Sequence, residues 1–118
     1  MQNVTLRQER VASQLKRDLA DIIRQRGMAA FDGALVTVVE VRISPDLAVA
    51  KVYLSIFPTG KTASVMETIS QNAKSIRGEL GHRVSKQLRI VPELTFFVDD
   101  SLDYAEHIDE ILKRTKTE

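Results

Sequence analysis

Twenty-four consecutive residues, ALVTVVEVRISPDLAVAKVYLSIF (34–57), constrain the fold more than any other part of the chain. Leu35, Thr37, Val39, Val41 and Ile43 lie on one parity of the first half, and Ala48, Ala50, Val52, Leu54 and Ile56 on one parity of the second. Alternation with a period of two marks a strand with one buried face. Between the halves, Ser44-Pro45-Asp46-Leu47 carries proline where a turn favours it, with an aspartate after it. The spacing predicts an antiparallel hairpin.

A third period-two run lies nearer the end. Leu88, Ile90, Leu94, Phe96 and Val98 share a parity, with Pro92 among them. Proline cannot donate to a central ladder, so this strand is expected at a sheet edge or with a bulge.

The rest of the patterned sequence is helical. From Leu6 to about Arg26, Val11, Leu15, Leu19 and Ile22 fall on one face, widened by Ala12 and Ile23, and Gly27 is a natural stop. Residues 28–33 are a connection. From Ala63 to about Gln87, Val65, Met66, Ile69, Ala73, Ile76, Leu80 and Val84 make one apolar stripe. That span is long for a small domain and contains Gly78 and Gly81, so a bend or interruption is expected. Asp103 and Glu106 have capping-box spacing ahead of a short C-terminal helix packed through Ile108, Ile111 and Leu112, with frayed residues after it. The expected class is α+β, a single domain with a three-stranded sheet and helices on one face.

The 118 residues contain no cysteine, which excludes disulfides, thiolate catalysis and cysteine-based zinc sites. No apolar run approaches the roughly 20 residues that cross a bilayer, and the N-terminus lacks the apolar core of a signal peptide. No membrane partner and a cytoplasmic location are expected. Pro58-Thr59-Gly60-Lys61-Thr62 resembles the end of a phosphate-binding loop, but Ser55 stands where the first glycine is required. His82 and His107 have no second histidine at ligand spacing and read as surface residues. Asp99 and Asp100 are adjacent at a strand end, so they point to opposite faces and cannot share acid–base work. No serine sits in a hydrolase motif. Nothing in the pattern calls for an enzyme, a cofactor or a metal.

Charge is more telling in its distribution than in its sum. The formal net is +1, but residues 1–26 carry +3, 27–73 carry −1, 74–89 carry +4 and 90–118 carry −5. On a helical wheel Lys74, His82, Lys86 and Arg89 lie opposite the second apolar stripe, with Arg77 at its flank; Arg83 belongs to the same basic segment. Arg10, Arg17 and Arg24 lie opposite the first stripe and form a possible second patch. Cations on one rigid face can neutralise several phosphates at once. Aromatic content of 5% argues against base stacking as the main mode of binding. Gly78-Glu79-Leu80-Gly81 has the G-x-x-G form of a KH-domain clamp, but Glu79 would oppose phosphate and Leu80 belongs to the apolar stripe. It reads as a coincidence within a helix. A protein–protein adaptor whose basic face is only solvated is the alternative.

Four segments carry a family resemblance: QERVASQLKRDLADII, VTVVEVRISPDLAVAKVYLSIF, SIRGELGHRV and LRIVPELTFFVDDSLD. In order and spacing over residues 5–112 the chain resembles bacterial ribosome-binding factor A. The last segment is the most specific, with Arg-x-x-Pro-Glu-Leu before an aromatic strand and Asp-x-Ser-Leu. The resemblance implies a type II KH-like fold in which a helix-kink-helix marked Ala-x-Gly replaces the glycine clamp. Here Ala73 matches and Ser75 stands in place of the glycine. It further implies a non-catalytic, monomeric factor that binds the immature small ribosomal subunit. Such a factor contacts 16S rRNA near the decoding region and the 5′-terminal helix, and assists late maturation, notably in the cold. An assembly GTPase is implied in its release.

Overall fold

Thr5 starts the first helix. Its Oγ1 accepts from the Gln8 backbone N–H at 3.1 Å while Gln8 Oε1 accepts from the Thr5 N–H at 3.0 Å, so two donors that a helix start leaves unpaired are satisfied reciprocally. The computed structural model describes residues 5–86, 88 and 90–99. Within them the order is α1 (Leu6–Arg26), β1 (Leu35–Ile43), β2 (Val49–Phe57), α2 (Thr62–Val84) and β3 (Glu93–Val98). Gly27 ends α1 at φ 82°, and its N–H returns to the Arg24 carbonyl at 3.1 Å.

The sheet order is β1-β2-β3, with β1 antiparallel to β2 and β2 parallel to β3. The helix connecting β2 to β3 supplies the crossover that a parallel pair needs. Ala50, Val52, Leu54 and Ile56 of β2 are all fully buried against Leu15, Leu19 and Ile22 of α1 and Val65, Ile69, Ile76, Leu80 and Val84 of α2. Lys51, Phe57, Thr95 and Phe97, on the other parity, are exposed. Both helices therefore cover one face of the sheet, giving the α+β, type II KH-like arrangement.

The predicted hairpin forms, and its turn is well satisfied. Ser44 Oγ accepts from the N–H groups of Ala48 (3.1 Å) and Val49 (3.0 Å) and donates to Asp46 Oδ1 at 2.6 Å. This network holds Leu47 at φ 60°, a conformation that a leucine rarely adopts alone. The Ser44 and Ala48 donors also keep the Asp46 carboxyl below its ordinary range.

Three expectations change. The single parity assigned to β1 fails at a bulge between Val38 and Glu40. Val38 is buried before it and Val41 after it, while Leu35 is 52% exposed; one extra residue flips every later side chain to the other face. The third strand begins at Glu93, so Pro92 lies just before it rather than within it, and Ile90 is 75% exposed. The edge position holds, and Leu94, Phe96 and Val98 do face the core. Finally, α2 runs unbroken through Ala73 and Ser75 and stops at Val84; the expected interruption becomes one continuous helix. The short C-terminal helix, with Asp103, Glu106, His107, Ile108, Ile111 and Leu112, and also Asp100 and Arg89, lie outside the described residues.

Candidate nucleic-acid interface

The two helices lie antiparallel, locked by two crossed contacts. Arg26 of α1 reaches Glu79 and donates to Ser75 Oγ at 2.9 Å on α2. Arg83 of α2 donates back to Asp21 Oδ2 of α1 at 2.6 Å and to Gln25 Oε1 at 3.2 Å. Each helix thus lends one arginine to an acid on the other, which fixes their relative rotation. The Arg83 hydrogen bond, with help from Arg24 and against a smaller opposing effect of burial, holds the Asp21 carboxyl below its usual range.

A third arginine fastens α2 on its other flank. Arg77 Nε donates to the Pro92 carbonyl at 3.1 Å and its NH2 group donates to the Val91 carbonyl at 2.7 Å. Gly81 allows this approach, because a Cβ built there would sit 3.1 Å from Val91 Cγ2. Residues 77 and 83 are six apart, about 120° around an α-helix at 100° per residue. They straddle the buried stripe, one facing the lead-in to β3 and the other facing α1.

These ties sort the eight cations singled out from the sequence. Arg77 and Arg83 are engaged in internal contacts. Arg24 pairs with Asp21 on its own helix. Arg17 donates to the neutral amide of Gln14 at 2.9 Å and keeps its charge unopposed. Arg10, Lys74 and Lys86 are exposed and make no hydrogen bond or ion pair among the described residues. Arg89 lies outside them. The structure therefore brings Lys74 and His82 onto the outward crest of α2, with Lys86 two residues past its end, and Arg10 and Arg17 onto the outward crest of α1; all five are exposed. Glu67 is an exposed acid two turns before Lys74 on the same crest. Gly78, also on the crest, has open space where a Cβ would be. Ala73 is half-buried, and Ser75 serves as the acceptor for Arg26.

Sequence reasoning missed Arg26, although its spacing of four from Ile22 and seven from Leu19 placed it at the edge of the buried stripe. It also missed Arg7, an exposed cation on the first turn of α1 that makes no ion pair among the described residues. The uncovered sheet face carries a feature of its own. Tyr53 and Phe97, register partners on β2 and β3, stack at 5.3 Å between ring centroids, and the Arg42 guanidinium sits 5.4 Å from the Tyr53 centroid. Arg42 also pairs with Glu40, which makes its proton harder to remove. Among the described residues no group of acids and histidines is arranged to hold a metal, and no helix is long and apolar enough to cross a membrane.

Comparison with known proteins agrees with this architecture. A curated ribosome-binding factor A from Flavobacterium johnsoniae is 44% identical over 112 residues, covering 92% of this chain and 84% of the relative. Its counterpart from Cytophaga hutchinsonii is 38% identical over 110 residues, covering 93% and 83%. The crystal structure of ribosome-binding factor A from Thermus thermophilus superposes with a TM-score of 0.65 at 30% identity, over 77% of this chain and 94% of that one. Coordinates of the Thermus factor fitted into a cryo-electron-microscopy map of its 30S complex match with a TM-score of 0.62 at 30% identity, over 75% of this chain and 91% of that one. The family model described as ribosome-binding factor A matches residues 7–112, and with these relatives it shows that the chain belongs to the ribosome-binding factor A family.

Proposed function

We propose that this protein binds the small ribosomal subunit during assembly and turns its helical layer toward 16S rRNA. One observation carries the reading: among the described residues Arg10, Arg17, Lys74 and Lys86 make no ion pair, whereas Arg24 and Arg83 are paired with Asp21 and Arg77 is tied to the Val91 and Pro92 carbonyls. The fitted 30S complex of the Thermus relative supports the choice of partner. Phosphate contacts from such a rigid face position the protein, and the shape of folded RNA supplies selectivity. The role is association without turnover, in late maturation of the subunit and its function in the cold. The rRNA elements are those near the decoding region and the 5′-terminal helix, and an assembly GTPase is the candidate for release. The factor acts as a monomer in the cytoplasm.

The adaptor reading draws on a different observation, the exposed Leu35, Phe57 and Phe97 on the uncovered sheet face. Salt separates the two. Co-sedimentation with immature small subunits at rising potassium chloride should show affinity falling steeply, with a log–log slope of about −3 for four phosphates at about −0.7 each. A flat response would favour the adaptor.

A further inference from the structure

The two helices do not end together. Arg83 binds Asp21 and Gln25, so the N-terminal half of α1 runs alongside the end of α2 and then beyond it. Among the described residues after Val84, Leu88 folds back over that flank, its N–H donating to the Val84 carbonyl at 2.9 Å. The mismatch leaves a pocket of about 230 Å³, lined by Arg7, Arg10, Val11, Leu15, Val84 and Leu88, with Gln14 beside them. Leu15 and Val84 form a buried floor, and Val11 and Leu88 are half-buried walls.

Its chemistry is mixed in one particular way. The interior is aliphatic, and the rim carries two exposed guanidiniums one turn apart that make no ion pair among the described residues. The nearby acids do not pair with them. Glu9 faces round α1 into a different groove, beside Arg42 and Ser44, and Asp18 accepts from Gln14 Nε2 at 2.9 Å rather than from either arginine. Lys86 adds a further unpaired cation two residues past the end of α2. A nonpolar slot with a cationic rim suits a flat, weakly polar ring joined to an anion. The volume is below the roughly 300–1,000 Å³ of small-molecule pockets, so it suits one ring system rather than a larger ligand.

We infer that this pocket takes one unpaired nucleotide of single-stranded RNA, with its base between Val11 and Leu88 and its phosphate on Arg7 and Arg10. The inference rests on the RNA-binding reading above and refines it. Phosphates on the outward crests position the protein, and this slot selects a strand whose base is free to leave its stack. A base held in a duplex cannot enter.

The test uses fluorescence anisotropy of the full chain with a fluorescein-labelled single-stranded decauridylate and an abasic strand of equal length and charge. The wild type should bind the decauridylate about tenfold more tightly, the low end of what a base gains on an aromatic platform, as suits an aliphatic slot. Val11→Met, which fills the slot without offering a ring for a base to stack on, should abolish that preference and leave the salt slope unchanged. Val11→Leu fills it less fully and serves if the first variant does not fold. The double variant Arg7→Ala/Arg10→Ala should keep a preference for bases but bind with a slope shallower by about 0.7, the one phosphate the two arginines share. Equal binding of both strands by the wild type, or an undiminished preference in both filled variants, would overturn the pocket. Binding to immature subunits without any binding to the decauridylate would also overturn it and leave the proposed function standing. Failure to bind either target would remove the RNA-binding reading itself.

Discussion

Arg77 in the middle of α2 reaches across to the backbone ahead of β3, where its Nε donates to the Pro92 carbonyl at 3.1 Å. A residue that a helical wheel places at the flank of a basic face is thereby a fastening between helix and sheet. Pro92 has no N–H to offer, but its carbonyl is an acceptor and its ring is fully buried. The unusual proline just before the edge strand thus anchors the helix that carries the outward cations.

Removing this fastening should cost stability rather than association alone. Arg77→Ala should lower unfolding stability by about 1–2 kcal/mol, the scale of hydrogen bonds from a charged donor to partly exposed carbonyls. Lys74→Ala and Lys86→Ala, which remove no hydrogen bond or ion pair among the described residues, should stay within about 0.5 kcal/mol of the wild type. Urea denaturation of the three variants tests this, and equal midpoints would show that the Arg77 contacts do not hold the fold.

The crossed pairs between α1 and α2 make a prediction about pH. Asp21 has a lowered pKa in the folded protein, chiefly through Arg83. Its contribution is therefore complete above the ordinary carboxylate value of about 3.9 and fades as pH falls through the lower folded value. Asp21→Asn should destabilise the protein at pH 7 and show a shrinking difference from the wild type as the solution is acidified below pH 4. Urea midpoints at pH 7, 4 and 2.5 follow the trend, and a constant difference would contradict the pairing.

The two glycines of α2 should respond oppositely to the same substitution. At Gly78 a Cβ meets open space, so Gly78→Ala should stabilise the helix by about 0.5–1 kcal/mol. At Gly81 the Cβ would press on Val91 Cγ2 at 3.1 Å. Gly81→Ala should gain less or lose, and Gly81→Leu should destabilise clearly through overpacking. Thermal melts of the three variants decide it, and equal gains at both positions would remove the claim that Gly81 sets the approach of α2 to the Val91 strand lead-in.

These contacts mark where the sequence was readable and where it was not. Val11, Leu15, Leu19 and Ile22 repeat at helical intervals, so α1 and its buried face could be read directly, and so could the hairpin around Pro45 and the edge position of β3. The bulge near Val39 left no such mark, because Val38, Val39 and Val41 are interchangeable as apolar residues and only pairing with β2 sets their parity. The helix crests were legible for the same reason as the apolar stripe. Which cations would be consumed was not, since the Arg77 and Arg83 contacts depend on how α1, α2 and the β3 lead-in approach one another. The kink at Ala73 was an expectation from family likeness; α2 is one unbroken helix through Ser75.

The most direct test of the account is the salt dependence of association between immature small subunits and the triple variant Arg10→Ala/Lys74→Ala/Lys86→Ala. If unpaired crest cations hold the rRNA, the variant should fold normally and bind more weakly, with a log–log salt slope shallower than the wild type by about 2, three phosphates at about 0.7 each. A triple variant with wild-type affinity and an unchanged slope would contradict it.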